Sequence, residues 1–107
     1  MRVLLDNNVD RRFARLLVGH DAVHARQLGW ADLYNGDLIA AGELAGFAVL
    51  ITADKNMRYQ QNLKDRTISI ITLDSILVDF PGNKPLVPQV LAALENLPQG
   101  AFITITP

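Results

Sequence analysis

The chain has 107 residues, no cysteine and a formal net charge of −1; half of its residues are hydrophobic and a fifth are charged. That length supports one domain with a core of its own, while the composition argues against disorder, excludes disulfides and thiolate metal sites, and offers polyanions no bulk attraction. No apolar stretch approaches the ~20 residues of a membrane span, and charge begins at Arg2 without a leader pattern, so a cytoplasmic domain with no membrane partner is expected.

Residues 2–5 form a short apolar run closed by Asp6 and read as the first strand. A run without polar alternation suits a parallel strand covered on both faces. Asn7 or Asn8 can cap a helix starting near Val9. Along it Val9, Phe13, Leu16 and Leu17 share one stripe, Arg11, Arg12 and Arg15 fall off that stripe, and Gly19 ends the helix. Residues 22–25 read as the second strand and 27–35, with Gly29, Trp30 and Tyr34, as a loop. Asn35 can cap a helix over 36–45 that carries Asp37 in its first turn and is closed by Gly46. Residues 48–52 are the third strand, and Asp54 can cap a short helix through Asn62. Residues 68–73 are the fourth strand, 74–79 a helical turn broken by Phe80-Pro81-Gly82-Asn83, 86–97 the last helix with Pro88 in its first turn, and 101–106 a closing strand. This alternation predicts a single α/β domain over residues 1–107 with a central, mainly parallel five-stranded sheet.

In open α/β sheets the functional crevice lies at the carboxyl ends of the strands. Asp6 and Asp54 each close a strand there, and Asp37 joins them if its helix starts at the same edge. Carboxylate oxygens suit Mg²⁺ or Mn²⁺, which can activate water and stabilise an in-line phosphoryl displacement. Each acid also has a plainer role available: Asp6 and Asp54 as helix caps, Asp37 as a partner of the helix dipole.

Lys55, Arg58, Tyr59, Gln60, Gln61 and Asn62 follow Asp54, and can grip an RNA backbone and stack a base or form a solvated helix face. Arg11, Arg12 and Arg15 can extend a phosphate track, meet an acidic protein segment, or stay solvated. Nine of the ten basic residues lie within positions 1–66, so a polyanion would prefer that part. His20 and His24 are expected to be structural, hydrogen bonding around the second strand, since no zinc motif surrounds them. Trp30 and Tyr34 read as packing or lid residues. No phosphate-binding glycine motif and no serine or cysteine nucleophile arrangement is visible.

Leu4-Leu5-Asp6-Asn7-Asn8, His20-Asp21-Ala22-Val23-His24, Leu28-Gly29-Trp30, Gly36-Asp37-Leu38 and Thr52-Ala53-Asp54-Lys55-Asn56 occur in that order, continuing as Arg58-Tyr59-Gln60-Gln61-Asn62-Leu63. This ordered set resembles the PIN-like domain superfamily, and within it a short bacterial branch described as nucleases or as toxins of toxin–antitoxin systems. The resemblance covers nearly the whole chain. It implies a three-layer α/β/α sandwich with strand order 3-2-1-4-5 and an acidic Mg²⁺ or Mn²⁺ site used for RNA hydrolysis. Asp6 matches the acid after the first strand, Asp37 the acid opening the second helix and Asp54 the acid after the third strand. Asn7 stands where many relatives have glutamate, and Asn56 where many have a further aspartate. Asn56 then offers only a neutral oxygen to the metal, and a single metal becomes compatible. The resemblance also suggests a cognate antitoxin and a homodimer as partners.

Three functions follow as expectations. The first is a metal-dependent ribonuclease using Asp6, Asp37 and Asp54, with Asn56 as a neutral ligand and Lys55, Arg58, Tyr59, Arg11 and Arg12 on the RNA. The second is a degenerate module that binds RNA or protein without cutting. The third, a phosphoacceptor receiver, lacks the paired acids at the first strand and the lysine after the last.

Overall fold

Runs of branched apolar side chains form the middle of the molecule, and burial follows their pattern. The computed structural model describes residues 1–57, 66–75 and 79–107. Strands β1 (Arg2–Leu5), β2 (Asp21–His24), β3 (Val49–Thr52), β4 (Ser69–Leu73) and β5 (Phe102–Ile105) pair in parallel throughout, in the order β2-β1-β3-β4-β5. Every residue of β3 and β4 is buried, as expected of strands flanked and covered on all sides, whereas β2 and β5 are partly exposed edges. The α/β class with a parallel five-stranded sheet is therefore as expected.

Alternation along the strands sends side chains to two cores. Val3, Leu5, Val49, Ile51, Ile71 and Leu73 pack with Phe13 and Leu17 and with Val90 and Leu94. Leu4, Leu50 and Ile70 face the other way, with Leu38, Ile39, Phe47 and Met57. The first face is thus covered by a 3-10 helix (Arg11–Leu16) and α3 (Val87–Glu95), the second by α1 (Asn35–Leu44). α1 approaches the sheet closely at Gly42, where a Cβ would stand 3.0 Å from Leu4 Cδ2. Among the described residues, no helix is long and apolar enough to cross a membrane.

Several sequence expectations are corrected. The strand order is not 3-2-1-4-5: β3 returns to the far side of β1, with Val3 against Val49, rather than lying outside β2. All four β3 residues are apolar or buried, so the strand needs a neighbour on each side, which an outer position would deny it. The segment after β1 winds as a 3-10 helix capped by Asp10, not an α-helix capped by Asn7 or Asn8. At about three residues per turn, Leu16 rotates off the stripe and is only partly buried while Phe13 and Leu17 stay inside. Asn35 does not cap α1; it enters the helix at φ 49°, a backbone asparagine tolerates, and Tyr34 takes the cap position without a side-chain bond. Phe80-Pro81-Gly82-Asn83 forms α2 (Phe80–Asn83) instead of breaking a helix, because Pro81 lies in the first turn and the Asp79 carboxylate accepts the Gly82 N–H. The helix expected through Asn62 and the turn expected over 74–79 lie partly outside the described residues.

Candidate functional site

The order 2-1-3-4-5 puts the topological switch point between β1 and β3, where the crevice of an open parallel sheet opens. Asp6 and Asp54 follow those two strands. The Asp6 N–H donates to the Ile51 carbonyl at 2.9 Å, which fixes its backbone as an extension of the sheet. Its side chain is only 5% exposed. Oδ1 accepts the Asn7 N–H at 2.6 Å and Oδ2 accepts the Thr52 hydroxyl at 2.7 Å. Burial raises the pKa of this carboxyl above the ordinary value; the Thr52 and Asn7 bonds oppose the rise, and the charge of Asp54 adds to it.

Thr52, wholly buried, joins the two acids. Its oxygen accepts the Asp54 N–H at 3.1 Å and the Asn8 amide at 3.3 Å, while Asn8 Oδ1 accepts the Ala53 N–H at 3.0 Å. Asp54 Oδ1 accepts the Asn56 N–H at 3.0 Å, so Asp54 does cap the turn that follows it. That capping role coexists with a place at the crevice.

Asn7 anchors the loop leading to α1. Its Nδ2 donates to the carbonyls of Trp30 at 3.0 Å and Leu33 at 3.2 Å, which orients the amide. Its Oδ1 is buried and has no partner among the described residues. Asp37 is exposed in the first turn of α1, a helix that starts beyond this loop. Among the described residues, no three His, Cys, Asp or Glu side chains are grouped to hold a metal ion. The structure thus brings Asp6 and Asp54 into electrostatic contact and does not gather Asp37 with them.

The remaining sequence candidates divide. Asn56 is exposed beside Asp54. Lys55 is ion-paired with Asp74 at 3.0 Å and donates to the Ser75 carbonyl at 3.3 Å, tying the turn after β3 to the end of β4. Arg58 and Tyr59 lie outside the described residues. Arg11 and Arg12 are exposed on the 3-10 helix; Arg12 grips Asp10 at 2.9 Å and lies 4.3 Å above the Phe80 ring. His24 is structural as expected: Nδ1 accepts the Arg26 N–H at 3.1 Å, so Nε2 carries the proton and donates to the Val9 carbonyl at 2.7 Å. Its backbone N–H is taken by Gln27, completing a cap for the 3-10 turn Ala25–Leu28.

Two site residues escape the sequence reading. Thr52 looks like one more β-branched strand residue, and nothing local reveals its partners. Asp74 does carry a signal, the one that marks Asp6 and Asp54: an acid directly closing a buried strand. The two carboxylates at this edge are the donor type of a hard cation that keeps waters and takes one or two protein carboxylates. Comparison of the chain with protein-family models, curated proteins and solved structures gave no match.

Proposed function

We propose that this chain is a PIN-like, metal-dependent endoribonuclease that hydrolyses RNA phosphodiesters, acting as the toxin of a toxin–antitoxin pair. The observation that carries the reading is a buried acid, Asp6, at the β1/β3 switch point, whose carboxyl is pushed up chiefly by its burial and further by the charge of Asp54, which closes the neighbouring strand. Asp6 and Asp54 would hold Mg²⁺ or Mn²⁺, with Asn7 or Asn56 as a neutral oxygen. When bound, such an ion supplies an acidified water and charge neutralisation on a phosphoryl group. The chain's own contribution is orientation: Thr52 and the Asn7 N–H fix both Asp6 oxygens, and the Asn56 N–H fixes Asp54.

The test is RNA cleavage with Mn²⁺ by wild type and by Asp54→Asn. Cleavage is expected to fall by roughly 10²-fold or more, since even outer-shell changes at metal sites cost about 10–100-fold, while the circular dichroism spectrum is unchanged. Asp37→Asn is expected to cost less, because Asp37 is exposed and ungrouped. Undiminished cleavage by Asp54→Asn sinks the assignment. The second reading, a PIN-like module that binds RNA or protein without cutting, draws on the ungrouped Asp37 and on the amides at Asn7 and Asn56. It is favoured if wild type binds RNA but leaves it intact with either metal.

A further inference from the structure

Two concavities beside the first 3-10 helix share Arg11 and Arg12 in their linings and reach residues of β2, and we take them together as one groove. One, of about 490 Å³, reaches Asn7 and Arg26; the other, of about 600 Å³, reaches Arg15 and His20. The lining holds four arginines against two aspartates, in a chain whose net charge is −1. Asp10 is taken by Arg12 at 2.9 Å, and Asp21 lies 3.9 Å from Arg2. Arg11, Arg15 and Arg26 have no ion-pair partner among the described residues. The two buried side-chain polar atoms without a partner among those residues, Asn7 Oδ1 and His20 Nδ1, belong to residues lining the two halves of this groove.

Unpaired guanidinium groups in a concave wall suit successive phosphates, which they bind bidentately. A positively charged groove that tracks a backbone is the form taken by single-strand binders. Duplex readers instead push a helix or ribbon out into the nucleic acid's own groove, whereas these arginines line concave walls. We propose that the groove holds the phosphodiester backbone of a single-stranded nucleic acid, with Arg11, Arg15 and Arg26 each on a phosphate and Arg12 fixed by Asp10 and Phe80 as part of the wall. The direction of the strand, toward Asn7 and so toward Asp6, rests on the nuclease reading; the binding does not.

The experiment is fluorescence anisotropy of a short labelled oligouridine in EDTA, where no cleavage can occur, titrated across salt. Three phosphate contacts predict a slope of log affinity against log salt near −2, about 0.7 per phosphate, and the triple variant Arg11→Gln/Arg15→Gln/Arg26→Gln is expected to lose most of that slope and at least about tenfold in affinity at low salt. Each single variant should remove about 0.7. Lys84→Gln, an exposed lysine outside the groove, should change neither. Absence of binding at about 50 mM salt, or an unchanged slope in the triple variant, overturns the proposal. Equal competition by polyglutamate also overturns it, in favour of an acidic protein segment. Because binding is read in EDTA and cleavage is read with Mn²⁺, a nuclease reading that fails on cleavage leaves this result standing.

Discussion

The Thr52 hydroxyl has a single proton, and Asp6 Oδ2 takes it at 2.7 Å while the same oxygen receives the Asp54 N–H at 3.1 Å. One atom therefore holds the Asp6 carboxylate and the Asp54 backbone together. Thr52→Val keeps the shape and removes the hydroxyl, leaving Asp6 Oδ2 buried without its donor. An unsatisfied buried acceptor costs about 1–3 kcal/mol, so urea unfolding should show a loss of that order. The Thr52 bond is the largest effect opposing the burial of Asp6, so carbonyl NMR should find the Asp6 pKa further raised in the variant. Thr52→Ser should recover most of both effects. An unchanged Asp6 titration would show that the hydroxyl does not hold the carboxylate. Asp6 and Asp54 were legible in the sequence as acids closing apolar runs. Thr52 was not, because its partner lies 46 residues away and threonine is at home in any strand.

Elements are joined by contacts that periodicity does not register. Glu43, near the end of α1, accepts from Arg66 at 2.7 Å, from the Thr67 N–H at 2.7 Å and hydroxyl at 3.0 Å, and from the Ile68 N–H at 3.3 Å. It pins the helix to the entrance of β4. Burial pushes its pKa up, but these donors outweigh burial and bring it from 4.5 down to about 2. A carboxylate depressed in the folded state stabilises above its unfolded pKa, and that contribution fades as pH falls from 4.5 toward about 2. Glu43→Gln should cost about 1.5–3 kcal/mol near neutral pH, the range for hydrogen bonds to a charged group, and the deficit should shrink across that acid window. Thermal unfolding at a series of pH values reads both; a deficit constant down to pH 2 would exclude the ionised clamp. The strands and α1 were readable from apolar runs and turn glycines. The first helical segment is ambiguous in sequence because Val9, Phe13 and Leu17 suit α and 3-10 winding alike, and α2 is hidden because Pro81 signals a break unless its cap, Asp79, is recognised.

At the scale of the whole molecule, the sheet order matters most, and it was the least legible feature. Apolar runs tell which strands are buried but not which strand lies beside which. The expected order 3-2-1-4-5 and the observed 2-1-3-4-5 both set β2 beside β1, yet only the observed one places β3 on β1's other side. That neighbour brings Asp54 to Asp6. The folded chain thus holds a raised carboxyl beside a second acid, an arrangement that loses stability as pH rises above the ordinary value of 3.8 and through the folded pKa of Asp6. A cation between them reverses the sign: it favours the ionised form and stabilises only the folded state. Millimolar Mn²⁺ at about 100 times its dissociation constant would add ~2.7 kcal/mol. Since each kcal/mol moves the midpoint of a domain near this size by about 4–8 °C, a rise of roughly ten degrees or more is expected. The rise should vanish in Asp54→Asn, survive largely in Asp37→Asn, and diminish as the pH falls through the raised pKa of Asp6 and that carboxyl takes up its proton. A wild type indifferent to Mn²⁺ and Mg²⁺, with Asp54→Asn more stable than wild type in EDTA, would mean that the two acids repel without useful metal affinity. The switch point would then hold a relic of a metal site, and the functional weight would pass to the arginine groove beside it.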